Sequence, residues 1–152
     1  MPSVGKIESF WDASALVPLC ARQSASVAAR EALKGRAIAA WWATPVEIVG
    51  ALCRLLRFGD LSQKQWEQAV RRLGDLRRWW TEIMPDDRVR ELAGALLQQH
   101  PLRAADALQL AAALVWAEER PQTRHFVCLD RRLAEAATKE GFAVETFGLI
   151  PR

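Results

Sequence analysis

The chain of 152 residues is poor in the side chains that build disulfides and soft metal sites. It has no tyrosine, two histidines and three cysteines. Cys20, Cys53 and Cys128 are far apart and lack Cys-x-x-Cys spacing, which argues against a disulfide framework and a zinc cage. His100 and His125 are too few for a histidine-rich metal site. A metal bound by this chain would therefore rely on oxygen ligands.

Long apolar runs are also missing. No run approaches the roughly 18 residues that a membrane span needs, and Glu8 and Asp12 interrupt the region where the apolar core of a secretory signal would lie. No repeat or Pro/Gly/Ser-rich linker divides the chain, so we predict a single domain over residues 1–152. We expect a cytoplasmic protein without a membrane partner.

The charge balance permits an acidic partner without requiring one. Lys and Arg number 21 against 18 Asp and Glu, which gives a net charge of +3. A basic chain of this kind can bind nucleic acid. The hydrophobic fraction of 51% is large enough for a buried core.

Short β-like runs alternate with longer helical ones along the sequence. The periodicity predicts strands over 7–11, 37–42, 82–84, 125–129 and 143–147. It predicts helices over 15–19, 24–33, 44–58, from Ser62 towards Trp80, and over 86–99, 102–118 and 131–140. This alternation predicts an α/β fold, a three-layer α/β/α sandwich with a central parallel β-sheet. In such sheets ligands bind at the carboxyl ends of the strands.

Four acidic residues fall where this rule directs attention. Asp12 directly follows the first predicted strand, and Asp130 directly follows the fourth. Glu47 lies in the first turn of the helix that follows the second strand. Asp106 lies on the most apolar helix, where a buried and unpaired carboxylate costs several kcal/mol or shifts its pKa. A cation shared with the other three acids would remove that cost.

Helix capping is the alternative interpretation for three of these acids. Asp130 and Asp12 can each cap the helix that follows, with Ser14 as the competing cap for the first helix. Glu47 fits a capping box with Thr44. Asp106 has no such alternative in the predicted helix.

The same residues resemble the motifs of a known family. The segment 10–16 (FWDASAL) is similar to the opening of PIN-domain ribonucleases, and residues 44–47 (TPVE) are similar to their second acidic motif. Residues 102–108 (LRAADAL) and 125–133 (HFVCLDRRL) resemble the third and fourth motifs. The four occur in the family's order over nearly the whole chain. Its small size resembles the VapC-type toxins of bacterial toxin–antitoxin pairs.

The resemblance implies a metal-dependent endoribonuclease, with RNA as substrate, a homodimeric assembly and a cognate antitoxin as partner. Carboxylate oxygens suit Mg²⁺ or Mn²⁺, whose bound water can attack a phosphodiester. Asp12 and Asp106 are the expected direct metal ligands, and Asp130 a ligand or an outer support. Glu47 is expected to hold or deprotonate a metal-bound water, and Ser14 to orient Asp12.

One position departs from the family pattern and keeps other functions open. Many members carry Thr or Ser two positions before the fourth acid, where this chain has Cys128, a poorer hydrogen-bond donor. A PIN-like module that binds RNA or protein without turnover is therefore one alternative. Aspartyl-phosphate chemistry is another, although Ser14 stands where a second Asp would be needed, and Lys139 lies within a predicted helix.

A basic patch and an off-face tryptophan complete the candidates. Arg71, Arg72, Arg77 and Arg78 lie near the end of one predicted helix, where they either contact phosphate or form a solvated face. Trp79 falls off the apolar side of that helix. We expect it to be exposed and to contribute to a protein interface, with base stacking as the alternative.

Overall fold

The computed structural model describes residues 5–147. Within this range the chain alternates between five strands and seven helices. The strands are β1 (Ile7–Trp11), β2 (Arg36–Trp41), β3 (Thr81–Ile83), β4 (His125–Val127) and β5 (Ala143–Glu145). The helices are α1 (Ala13–Cys20), α2 (Ser26–Leu33), α3 (Thr44–Arg57), α4 (Gln63–Arg77), α5 (Asp87–Gln99), α6 (Ala104–Trp116) and α7 (Arg131–Glu140).

The strands form one parallel sheet in the order β3-β2-β1-β4-β5. The chain builds outward from β1 through β2 to β3, and then returns to place β4 on the other side of β1. Phe10 aligns with Phe126 and Trp11 with Val127 across that central pair. The strand order therefore reverses between β1 and β4, and the crevice for a ligand opens at their carboxyl ends.

Two cores cover the two faces of the sheet. Successive side chains of a strand point to opposite faces, so Phe10 and Trp11 enter different cores, each fully buried. Phe10 packs with buried residues of α5, α6 and α7. Trp11 packs with buried residues of α1, α3 and α4. This arrangement confirms the predicted α/β fold with helices on both sides of a parallel sheet.

The predicted strands differ from the observed ones mainly at their ends. The first strand has the predicted bounds, and the second and third begin and end one residue earlier than predicted. The last two strands each end two residues before the predicted limit. Helix α7 has its predicted bounds because Gly141 adopts a left-handed φ of 110° that ends it.

Helix α6 is shorter than predicted at both ends. Arg103 is extended and precedes the first turn, and Glu118 and Glu119 have positive φ beyond the last turn. Asp106 consequently lies in the first turn of α6 rather than in its interior, and its residue is half-buried. The sequence predicted Asp106 as a buried acid, whereas its residue is only half-buried because the helix begins two residues later than predicted.

No helix in the described part of the chain has both the length and the apolar character required to cross a bilayer.

Two adjacent tryptophans provide a test of this packing. Trp79 is 63% exposed, as the sequence predicts, whereas Trp80 is 8% exposed within the core on the α1–α4 side. Trp80→Ala should lower the free energy of unfolding by about 3 kcal/mol or more, because it leaves a cavity. Trp79→Ala should change it by less than about 0.5 kcal/mol. Chemical denaturation of both variants measures this, and equal losses would contradict the packing.

Candidate active site

Two of the four acids follow the two strands between which the strand order reverses. Asp12 follows β1 directly, and its backbone N–H donates to the carbonyl oxygen of Val127 at 3.2 Å. Asp130 lies three residues beyond the end of β4 and precedes α7. The central strand pair thus brings both acids to one edge of the sheet.

The other two acids reach the same place from helices. Glu47 is in the first turn of α3, and Asp106 is in the first turn of α6. All four acids line one cleft of about 630 Å³, which we call the acidic cleft. Arg54 also lines it and is its only arginine or lysine among the described residues. The acids named from the sequence are therefore together in the folded chain.

Ser14 links the exits of the two central strands. Its hydroxyl donates to Asp12 Oδ1 at 2.7 Å and accepts a hydrogen bond from the backbone N–H of Leu129 at 2.9 Å. The Ser14 backbone N–H donates to Asp12 Oδ2 at 3.3 Å. Ser14 thus orients the Asp12 carboxylate, which was one of the two roles predicted for it; the other was to cap the first helix.

Asp12 and Asp130 cap helices and also line the acidic cleft, so the two interpretations of these acids hold together. Asp12 is the N-cap of α1, and Asp130 is the N-cap of α7 through a bond from the backbone N–H of Leu133 to Oδ1 at 3.2 Å. A carboxylate has two oxygens with several acceptor positions. The same side chain can therefore cap a helix and line the cleft.

The capping box predicted for Thr44 and Glu47 is wrong. Helix α3 already includes Thr44, and its N-cap Ala43 makes no side-chain capping bond. Gln109 Nε2 instead donates to Thr44 Oγ1 at 3.0 Å and to Glu47 Oε2 at 2.8 Å. Glu47 is therefore positioned by a long-range contact from α6.

Gln109 is the site residue that the sequence analysis missed. It is 1% exposed and lies three residues after Asp106 on the same helix. A buried amide requires polar partners, so a single glutamine in an otherwise apolar stretch was the available signal. Its amide supports Glu47 from beneath the cleft.

Burial determines the electrostatics of the cleft more than repulsion does. Burial, aided by the nearby charge of Glu47, raises the pKa of Asp12 to about 6 against the opposing hydrogen bonds from Ser14. Burial also raises the pKa of Glu47, which Gln109 partly offsets and Asp106 reinforces. These acids are thus held where their charged forms are costly, and a cation would stabilise those forms.

Cys128 supports the turn that carries Asp130. Its Sγ accepts a hydrogen bond from the Asp130 backbone N–H at 3.3 Å and lies 3.9 Å from Ser14 Oγ. Burial and the nearby Asp12 charge raise the pKa of the Cys128 thiol well above its usual range. The thiol is fully buried and remains neutral, so it contacts the protein rather than the open cleft.

The donor set suits a hard divalent cation. The described residues of the acidic cleft offer carboxylate oxygens and a hydroxyl, and none of them is a histidine or a cysteine. Among residues 5–147, no three or more His, Cys, Asp or Glu side chains are already gathered around one metal position. Mg²⁺ retains several waters and needs only one or two carboxylates, so the residues present fit this ion.

The predicted arginine patch does not belong to the acidic cleft. Arg72 Nη1 donates to the carbonyl oxygen of Cys20 at 3.0 Å, and Arg77 Nη2 lies 3.8 Å from Glu82 Oε1. Neither they nor Arg71 and Arg78 line the cleft. Arg72 and Arg77 are thus held by different partners, and none of the four arginines lines the acidic cleft.

Among the comparisons with known proteins, only the search of solved structures finds matches, and they concern the fold. No protein-family model and no curated protein matches the sequence. The structure resembles a chain of a toxin–antitoxin complex from Klebsiella pneumoniae, with 20% identity, a TM-score of 0.62, and 93% of this chain and 99% of that one covered. It also resembles VapBC2 from Rickettsia felis bound to a promoter DNA fragment, with 15% identity, a TM-score of 0.63, and 93% and 99% covered.

PAE2754 from Pyrobaculum aerophilum is a third structure with this fold, at 21% identity and a TM-score of 0.59, with 93% of this chain and 90% of that one covered. The likeness extends over almost the whole of each chain. It confirms the structural part of the resemblance seen in the sequence, a PIN-like α/β/α fold.

The raised pKa of Asp12 predicts a specific pH dependence of stability. Between pH 4 and 6 the folded, metal-free protein binds a proton at Asp12 that the unfolded chain, with an ordinary pKa of 3.8, has released. The free energy of unfolding should therefore fall as pH rises through this window, by up to about 3 kcal/mol. Asp12→Asn should remove much of that decline.

Chemical denaturation in EDTA at several pH values measures the effect. Asp75→Asn, at an exposed position on α4, is the control and should keep the wild-type decline. Parallel pH profiles for wild type and Asp12→Asn would show that the Asp12 carboxyl is not buried as described.

Proposed function

We propose that this protein is a Mg²⁺- or Mn²⁺-dependent endoribonuclease and the toxin of a toxin–antitoxin pair. The observation that supports the catalytic part is the acidic cleft itself. Four carboxyl groups from four separate segments line it at the strand-order reversal of a PIN-like sheet. Such a concentration of acid is costly to fold and is suited to holding a cation.

Asp12 and Asp106 are the residues that would bind the cation directly, and Asp130 would bind it directly or through a water. When bound, Mg²⁺ lowers the pKa of a water molecule and stabilises negative charge on the phosphodiester oxygens. Ser14 holds the Asp12 carboxylate in a fixed orientation through its hydroxyl. Arg54 supplies a positive charge at the wall of the cleft that can attract the phosphate.

Glu47 is the proposed general base. Burial raises its pKa, which brings a carboxylate closer to the range in which it accepts a proton efficiently. Gln109 donates to Oε2, and this bond keeps the side chain directed at the cleft. Glu47 would therefore take the proton from the attacking water, and the aspartates would hold the cation.

The toxin role rests on the structural neighbours. Two of them are chains from a toxin–antitoxin complex and from VapBC2. We propose by analogy a cognate antitoxin and a second copy of this chain as partners, RNA as the substrate, and the cytoplasm as the location.

A PIN-like module that binds without turnover is the second candidate. Cys128 favours it, because a neutral buried thiol stands where many family members have a hydroxyl. Aspartyl-phosphate chemistry finds less support, since Lys139 lines a separate pocket with Arg131 and Thr138 rather than the acidic cleft. Binding of RNA in Mg²⁺ without cleavage would identify the module.

We predict that the protein cleaves cellular RNA in millimolar Mg²⁺ or Mn²⁺ and that EDTA abolishes cleavage. Asp12→Asn and Asp106→Asn should each remove activity, because each removes a proposed ligand. Glu47→Gln should lower the rate by about 100-fold or more, as expected for loss of a general base. Asp75→Asn, an exposed acid outside the cleft, should cleave like wild type. Full activity of the Asp12 or Asp106 variant would contradict the assignment.

Trp79 provides a prediction about assembly. An indole that is 63% exposed adds nonpolar surface which a protein interface can bury. Trp79→Ala should weaken self-association or antitoxin binding while leaving the melting temperature nearly unchanged. Sedimentation of the chain alone and with its antitoxin measures this. Unchanged assembly in both experiments would exclude Trp79 from the interface.

A further inference from the structure

A second cavity lies next to the acidic cleft and has the opposite charge. Its volume is about 510 Å³, and it lies between the end of α1, helix α2 and helix α4. We call it the basic cavity and define it by its charged and amide side chains, Arg22, Arg30, Asp60, Gln65, Gln68 and Arg72. The proposed reaction at the acidic cleft uses none of them.

The positive charges of this cavity are not neutralised from within the fold. Three arginines face one aspartate, and no ion pair involves any of the four among the described residues. The bond from Arg72 to the Cys20 carbonyl oxygen fixes that guanidinium at the cavity wall. The cavity therefore presents an excess of positive charge in a partly preorganised position.

The two sites share their dividing walls. Val17 and Gln23 line the acidic cleft, and the chain between them, from Pro18 to Arg22, contributes to the basic cavity. On the other side, Phe58 lines the cleft and Asp60 lines the cavity. The loops after α1 and after α3 thus separate the sites, and a ligand that crosses them enters both.

The chemistry of the lining selects phosphate. Guanidinium groups bind phosphate oxygens with charge-assisted hydrogen bonds, and glutamine amides can add further donors. No aromatic ring is among the described residues that line the cavity, so it offers no stacking surface for a base. The site is therefore suited to the backbone of a nucleic acid rather than to its bases.

From these observations we infer that the basic cavity binds a backbone phosphate of the RNA strand whose cleaved bond lies in the acidic cleft. This inference rests on the proposed function. A cleft with four acids repels a polyanion, so the strand needs a cationic anchor outside it. An acidic segment of a protein is the other ligand of matching charge, but it has no reason to continue into an acidic cleft.

Salt dependence of RNA binding tests the inference directly. The probe is a mixed-sequence single-stranded RNA of about 12 nucleotides, titrated with the full chain in EDTA so that cleavage does not interfere. Each phosphate contact on a single strand contributes about 0.7 to the slope of log affinity against log salt. Arg22→Ala combined with Arg30→Ala should reduce that slope by about 1.4 and weaken binding roughly tenfold at about 0.1 M salt.

Two further variants separate a lost contact from a damaged fold. Asp60→Asn removes the one acid among the described residues of the cavity and should tighten RNA binding, which a misfolded protein would not do. Arg90→Ala is the matched control, because Arg90 lies on α5 in the opposite layer with its side chain 85% exposed. It should leave the slope unchanged.

Failure of this inference can be distinguished from failure of the proposed function. If the wild type does not cleave RNA but the double arginine variant shows the reduced slope, the protein lacks the nuclease activity and still has the phosphate anchor. A chain that cleaves RNA while the double arginine variant keeps the wild-type slope would have no anchor in the basic cavity. Poly-glutamate serves as a second probe, standing for an acidic segment of a protein. If the double arginine variant loses poly-glutamate binding while its RNA slope is unchanged, the inference is also overturned, since the cavity would then bind a protein.

Discussion

The parallel pairing of β1 with β4 is the constraint on which the site depends. The strand order reverses between these two strands at the centre of the sheet. Their carboxyl ends therefore lie next to each other, with no other strand between them. Asp12 and Asp130 follow those strands, and the Ser14 hydroxyl joins the two exits through Asp12 and Leu129. Changing that register would move Asp12 relative to Asp130. The fold is therefore the means by which distant acids are held together.

Burying the acids of the cleft lowers the free energy of unfolding of the metal-free protein. Burial raises the pKa of Asp12 and of Glu47, so the folded chain keeps charged forms where they are least favourable. Gln109 and Ser14 reduce that cost with hydrogen bonds but do not remove it. A cation in the cleft would offset it, and binding to the native state alone would stabilise the fold.

The sequence predicted the parts of the site that local pattern controls. Asp12 and Asp130 stand directly after apolar β-like runs, and that position is enough to place them at one sheet edge. The contact of Gln109 with Thr44 and Glu47 spans more than 60 residues, and a local capping pattern competed with it. The three arginines of the basic cavity come from separate segments, so only the packing of α1, α2 and α4 unites them.

Whether the acids of the cleft form one cation site can be measured by titrating the metal-free protein with Mn²⁺, which needs neither substrate nor partner. Asp12→Asn and Asp106→Asn should each weaken Mn²⁺ binding by at least about tenfold, since we propose that the two carboxylates hold the same ion. Asp75→Asn should bind Mn²⁺ like wild type. Affinity that is unchanged in both cleft variants would contradict the claim that these acids form one cation site.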